Sequence, residues 1–167
     1  RQMAVLPGPK YLRIDKGAGG SEENVAGVSL GKGRVVREGS DITIVSLGAI
    51  LSEALKAAES LASVGINARV LSINTLKPFD ESIIFSACRE TGGLISVEEH
   101  SKIGGLGGTI SDACLASNII PKFFISIGLK DEYPTMVGDQ NFLRDHFDLS
   151  PEKIISVALS SLQKGVS

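Results

Sequence analysis

Ala68-Arg69-Val70-Leu71-Ser72-Ile73, a helical stretch from about Asp80 to Arg89, and Leu94-Ile95-Ser96-Val97-Glu98 form a strand–helix–strand unit, and this unit decides the fold. Short β-branched and aliphatic runs bounded by turn residues suit buried strands. Asp80 stands where a helix N-cap is expected. Strands joined through a helix run parallel, with right-handed crossovers, and need helices over both faces.

The same rhythm extends upstream. Asp41-Ile42-Thr43-Ile44-Val45-Ser46 is β-branched through its middle, and Gly39-Ser40 before it marks a turn. With Arg34-Val35-Val36-Arg37-Glu38 it reads as a hairpin entering the sheet. After Gly48, Leu51, Leu55, Ala58 and Ala62 recur at the helical period, with Glu53, Lys56 and Glu59 elsewhere on the wheel and Gly65 closing the helix. Downstream come a glycine cluster, Gly104-Gly105-Leu106-Gly107-Gly108, a helix over Thr109 to Ser117 and the strand Phe123-Phe124-Ile125-Ser126-Ile127. A loop over Lys130 to Gly138 and a short helix from Gln140 to His146 follow. Ser150 as N-cap and Pro151 as first helical residue open a last helix with Ile154, Ile155, Ala158 and Leu162 on its buried side. The predicted fold is α/β: a three-layer α/β/α sandwich on a mostly parallel sheet of about five strands, with one antiparallel edge strand.

At 167 residues and 17.5 kDa, with 43% hydrophobic residues and a mean hydropathy of +0.18, the chain can bury one good core. Seventeen basic residues against 19 acidic ones give a net charge of −2 and no cationic surplus for a nucleic-acid backbone. Two cysteines in apolar stretches fit a reducing, cytoplasmic setting better than a disulfide scaffold or a four-ligand zinc site. No apolar run reaches the length of a membrane helix. The opening, residues 1–16, lacks an initial Met and carries Pro7-Gly8-Pro9 before the strand-like Lys10-Tyr11-Leu12-Arg13-Ile14. It is expected to be the terminal strand of a longer unit, joined to the domain at 34–167 by a glycine-rich linker at 17–33.

Chemistry is sought first at the glycine cluster, since a strand, a glycine-rich loop and a helix N-terminus can cradle an anion. The dinucleotide spacing fails, because Ile110 stands where a third glycine is needed, and no Gly-Lys-Ser/Thr is present there. The glycines are therefore read as serving close backbone packing or an interface. Glu98, Glu99 and His100 end a parallel strand, where α/β ligands bind. Successive strand residues point to opposite faces, so the three cannot converge on one metal, and a hydrogen-bonding or interface role is expected. Cys88 and Cys114 read as small core residues and His146 as a surface histidine. Arg13 and Lys16 together could hold a phosphate.

Read together, several stretches resemble the C-terminal section of transketolase and its thiamine-diphosphate relatives. They are Gly8-Pro9-Lys10-Tyr11-Leu12-Arg13-Ile14-Asp15-Lys16-Gly17, Arg37-Glu38-Gly39-Ser40-Asp41-Ile42-Thr43-Ile44-Val45 and Ile73-Asn74-Thr75-Leu76-Lys77-Pro78-Phe79-Asp80. Val97-Glu98-Glu99-His100 with Gly104-Gly105-Leu106-Gly107, and the ending from Gly138-Asp139 through Leu149 to Ile154, complete the pattern. The resemblance implies the C-terminal α/β domain of an enzyme that moves a two-carbon ketol unit between sugar phosphates, as in the pentose phosphate pathway. Thiamine diphosphate and Mg2+ would then be held outside this chain, by missing diphosphate- and pyrimidine-binding domains or a partner subunit, in a homodimeric parent. It implies no catalytic, coenzyme-binding or metal-binding residue here, and an isolated chain that is inactive. Lys16, with Arg13 beside it, would meet the substrate phosphate, and Glu99, His100, Gly104, Gly105 and Gly107 would form the contact region. Deoxyxylulose-phosphate synthase and the β subunit of 2-oxo-acid dehydrogenases share the domain. A free-standing α/β module that binds an anion or a partner at the glycine loop is the remaining alternative.

Overall fold

The computed structural model describes residues 2–14 and 29–164. Among them five strands form one sheet: β1 (Arg34–Arg37), β2 (Ile42–Leu47), β3 (Ala68–Ile73), β4 (Leu94–Ser101) and β5 (Phe124–Leu129), in the order β1-β3-β2-β4-β5. β3, β2, β4 and β5 run parallel, and β1 lies antiparallel against β3 at one edge. The helices are α1 (Gln2–Val5), α2 (Leu51–Ser63), α3 (Glu81–Glu90), α4 (Leu106–Ala116), α5 (Gln140–His146) and α6 (Pro151–Lys164).

The strands sort their side chains by the two-residue period. Ile42, Ile44, Ala68, Val70, Ile95 and Val97 face one layer and pack with Ala54, Ala58 and Leu61 of α2 and Ile154 and Ala158 of α6. Val45, Leu71, Ile73 and Leu94 face the other, with Ile84, Ala87 and Cys88 of α3 and Leu106, Ile110 and Cys114 of α4. The three-layer α/β/α expectation is met. α2 ends where Gly65 takes a φ of +84°, and α6 begins at Pro151 as read.

Several local expectations are corrected. β1 and β2 are not a hairpin, because the amides of Ser40 and Asp41 both donate to Asn67 O at 3.0 Å and carry the chain past the start of β3. β2 has five of its six residues buried and takes a central place, whereas β1 keeps Val35 and Val36 exposed and takes the edge. Lys10–Ile14 forms no strand, and its Tyr11, Leu12 and Ile14 are exposed; a strand needs a neighbour to satisfy its backbone. Of the linker at 17–33, residues 17–28 lie outside the described residues. Gly31 and Gly33 are tied to the domain, their amides donating to Thr75 Oγ1 at 3.2 Å and Asp80 Oδ2 at 3.1 Å. The stripe of α2 is set by Leu51, Ala54, Ala58 and Leu61, and Glu53 is buried rather than solvated.

Candidate functional site

The carboxyl ends of β2 and β4 gather the polar residues singled out in the sequence. Glu98 and Glu99 are successive residues of β4 and leave the sheet on opposite faces. Glu98, fully buried, follows Leu94 into the α3–α4 layer. The amides of Leu106 and Gly107 donate to its Oε2 and Oε1 at 2.7 and 3.0 Å. A carboxylate thus occupies the positive end of α4, satisfying two of the donors that a helix start leaves unpaired. This explains why α4 begins at Leu106 rather than at the expected Thr109.

The glycines make the approach possible. A Cβ on Gly105 would lie 2.1 Å from Glu98 Oε2 and 2.6 Å from the Ser101 carbonyl oxygen. One on Gly107 would lie 2.3 Å from Ser126 Oγ and 3.2 Å from Ser96 Oγ, the facing serines of β5 and β4. Gly104 takes a φ of +71° with open space around it. The cradle is therefore filled from within the chain, and a diphosphate placed there would meet a carboxylate. Among the described residues no group of three or more His, Cys, Asp or Glu is placed to hold a metal ion. This loop, its amides bonded to Glu98, does not fit thiamine diphosphate with its metal.

Glu99 turns to the α2–α6 side. Arg144 of α5 grips it in a fork, Nε donating to Oε1 at 2.8 Å and Nη2 to Oε2 at 3.1 Å, while Nη1 donates to Glu53 Oε1 at 3.1 Å. Gln140 Nε2 donates to Glu99 Oε1 at 3.2 Å, and Lys56 Nζ reaches both oxygens of Glu53. Arg144 and Glu53 are buried, so each charge stands out of water only because the other is there. The planar guanidinium suits three coplanar acceptors at once. Neither residue was singled out in the sequence. Arg144 sits in a short polar helix, and Glu53 reads as one charge among several on a helix surface.

Two further expected site residues, His100 and Arg13, are exposed. His100 places Nδ1 3.0 Å from the Ser101 carbonyl oxygen. Arg13 donates from Nη1 to the Glu99 carbonyl oxygen at 3.2 Å, which brings the opening segment to the end of β4. Lys16 lies outside the described residues. His146 stacks on Phe142 and meets Phe147 edge-on, as a surface histidine can. Cys88 and Cys114 are buried with their sulfurs 3.8 Å apart, and burial together with the neighbouring Cys114 pushes the Cys88 thiol up to about 12.

Asp80 joins the loop before β1 to the start of α3. Burial pushes its carboxyl up, but the Ser82 hydroxyl, the Gly33 amide and the Lys32 ammonium outweigh this and hold it below the ordinary carboxylate value. No described helix is long and apolar enough to cross a membrane.

Comparison with known proteins bears on the whole domain. Residues 31–154 match the family described as transketolase, C-terminal domain. The chain is 36% identical over 158 residues to the 6-deoxy-6-sulfo-D-fructose transketolase subunit SqwH of Clostridium sp. (strain MSTE9), covering 94% of this chain and 48% of that protein. It is 35% identical over 161 residues to the 1-deoxy-D-xylulose-5-phosphate synthase of Heliobacterium modesticaldum (strain ATCC 51547 / Ice1), covering 95% of this chain and 25% of the synthase. A solved split gene transketolase, described as an inactive beta4 tetramer, superposes with a TM-score of 0.72 at 33% identity over 80% of this chain and 43% of that one. The chain spans about half the length of the transketolase subunit and a quarter of the synthase. The family match over most of the length and the likeness to the solved split gene transketolase converge on one assignment: this chain belongs to the transketolase C-terminal domain family.

Proposed function

We propose that this chain is the C-terminal domain of a thiamine-diphosphate-dependent enzyme that transfers a two-carbon ketol unit between sugar phosphates. The coenzyme and Mg2+ are held by other domains, on the same polypeptide or on a partner subunit. The observation that carries this reading is the family match over 31–154, joined to coverage of only about half of a transketolase subunit. The filling of the α4 N-terminus by Glu98 supports it against an anion-binding module, since the donors such a module needs are already bonded.

In this reading the domain has no catalytic residue and acts as a support, with 1–16 as the end of the pyrimidine-binding domain, 17–33 as the linker and 34–167 as the C-terminal domain. Glu99, His100 and the loop of Gly104, Gly105 and Gly107 form the contact region, with Arg144 keeping the end of β4 in place. Arg13, exposed and using one donor on Glu99, retains guanidinium N–H groups for a substrate phosphate, and Lys16 is its companion. The parent is a homodimer working in pentose phosphate metabolism in the cytoplasm; two free, buried cysteines support a reducing compartment.

The test begins with the native polypeptide and whatever subunit copurifies with it. An intact mass well above 17.5 kDa, or a stable partner, together with ketol transfer that depends on thiamine diphosphate and Mg2+, is the expected result. A lone 17.5 kDa product with no partner and no such activity overturns it. Deoxyxylulose-phosphate synthesis is a second reading, favoured by the similarity to the Heliobacterium synthase, and formation of 1-deoxy-D-xylulose 5-phosphate in place of ketol transfer between sugar phosphates separates the two.

A further inference from the structure

The polar end of β4 does not account for the two thiols between α3 and α4. Cys88 of α3 and Cys114 of α4 place their sulfurs 3.8 Å apart. Both are buried among aliphatic side chains, including Val45, Leu71, Ile84 and Ile110. Cys114 also lines a surface cavity of about 250 Å³ with Ile110, Leu115, Ile120, Pro121 and Phe124. The pair is thus enclosed on one side and approachable on the other.

We propose that Cys88 and Cys114 form a two-sulfur site for a soft monovalent d10 cation, Cu(I), entered through the cavity beside Cys114. A two-coordinate d10 ion holds its sulfurs on nearly opposite sides, so at a metal–sulfur distance of about 2.3 Å the pair opens from 3.8 Å to roughly 4.5 Å, a few tenths of an ångström in each side chain. Sulfur donors select soft cations, and zinc would need further ligands. Among the described residues no third His, Cys, Asp or Glu joins the pair. On binding, one S–H bond breaks, its proton leaves to solvent and one S–Cu bond forms, while the second thiol donates a sulfur lone pair. No electron is transferred. The resulting unit is neutral, as an apolar surrounding demands. The bound ion ties α3 to α4, and because the unfolded chain lacks the site, occupancy stabilises the fold.

The native holoenzyme or complex is titrated with Cu(I) under anaerobic, reducing conditions against a chromophoric chelator. The reference is the same protein carrying Cys88→Ser and Cys114→Ser together. One Cu(I) per chain above the reference, about one proton released per ion and a raised unfolding temperature are expected. Either single substitution should weaken that affinity by at least about 10-fold. Leu115→Trp, at the exposed rim of the cavity, should slow binding and leave the stoichiometry unchanged. Equal binding by the double variant, or a pair that loses two hydrogens to form a disulfide without retaining copper, overturns the proposal. Should the double variant fold poorly, the Cu(I)-dependent rise in unfolding temperature in the unsubstituted protein against Cys114→Ala alone gives the same decision. None of these readouts depends on ketol transfer.

Discussion

Glu98 and Glu99 are neighbours on one strand, and the two faces of the sheet satisfy them by different means. On the α3–α4 face, Glu98 is held by two backbone amides at the start of α4. On the α2–α6 face, Glu99 and the buried Glu53 are held by one guanidinium. Oriented amides are fixed by the helix itself, whereas the ion cluster needs Arg144 brought in from a distant segment. The first arrangement fails when the backbone cannot come close. The second fails when one charge is removed.

The largest effect is expected from Arg144→Met, which removes the buried guanidinium between Glu53 and Glu99 and leaves Glu53 to the exposed Lys56 ammonium and Glu99 to the Gln140 amide. Loss of about 3–5 kcal/mol in urea unfolding is expected, and a loss under about 1 kcal/mol would remove the cluster from the account of stability. Gly105→Ala tests the other face, since the added Cβ meets both Glu98 and the Ser101 backbone. A loss of about 1–3 kcal/mol is expected, with the same substitution at the unobstructed Gly108 as the control. Glu98→Gln keeps the shape but replaces one acceptor by a donor facing an amide, at about 1–3 kcal/mol. Comparable losses from Glu98→Gln and Arg144→Met would mean that the faces do not differ as described.

The smallest effect concerns Asp80, a carboxylate held by hydroxyl, amide and ammonium groups together. Its folded-state value lies below the ordinary one, so its contribution is fully present above the unfolded value of about 3.9 and is lost as pH falls through the lower folded value. Asp80→Asn should lower the unfolding temperature at pH 6 and flatten its decline between pH 4 and pH 2. An unaltered acid limb would show that Asp80 does not contribute.

The βαβ rhythm was legible because burial writes itself into local sequence. Strands covered on both faces, such as Ile42–Leu47 and Leu94–Val97, are apolar runs, and Ser150-Pro151 announces α6 at its first turn. The glycine loop was legible in part. Its spacing excluded a dinucleotide and pointed to close packing, while the partner in that packing, Glu98, stayed hidden. Strand order was not legible between β1 and β2, because a Gly-Ser turn between two short runs reads alike whether the second strand pairs with the first or passes beneath a third.

By itself the sequence determined the fold class, the burial of Cys88 and Cys114 and the family pattern, since each depends on residue type at short spacing. The tertiary structure decided which strand took the edge, that Glu98 closes α4, and that Arg144 joins Glu53 to Glu99 across separations of 91 and 45 residues. A charge paired that far along the chain leaves no local periodicity. Its partner is chosen by the path of the backbone, and only the folded chain brings the two together.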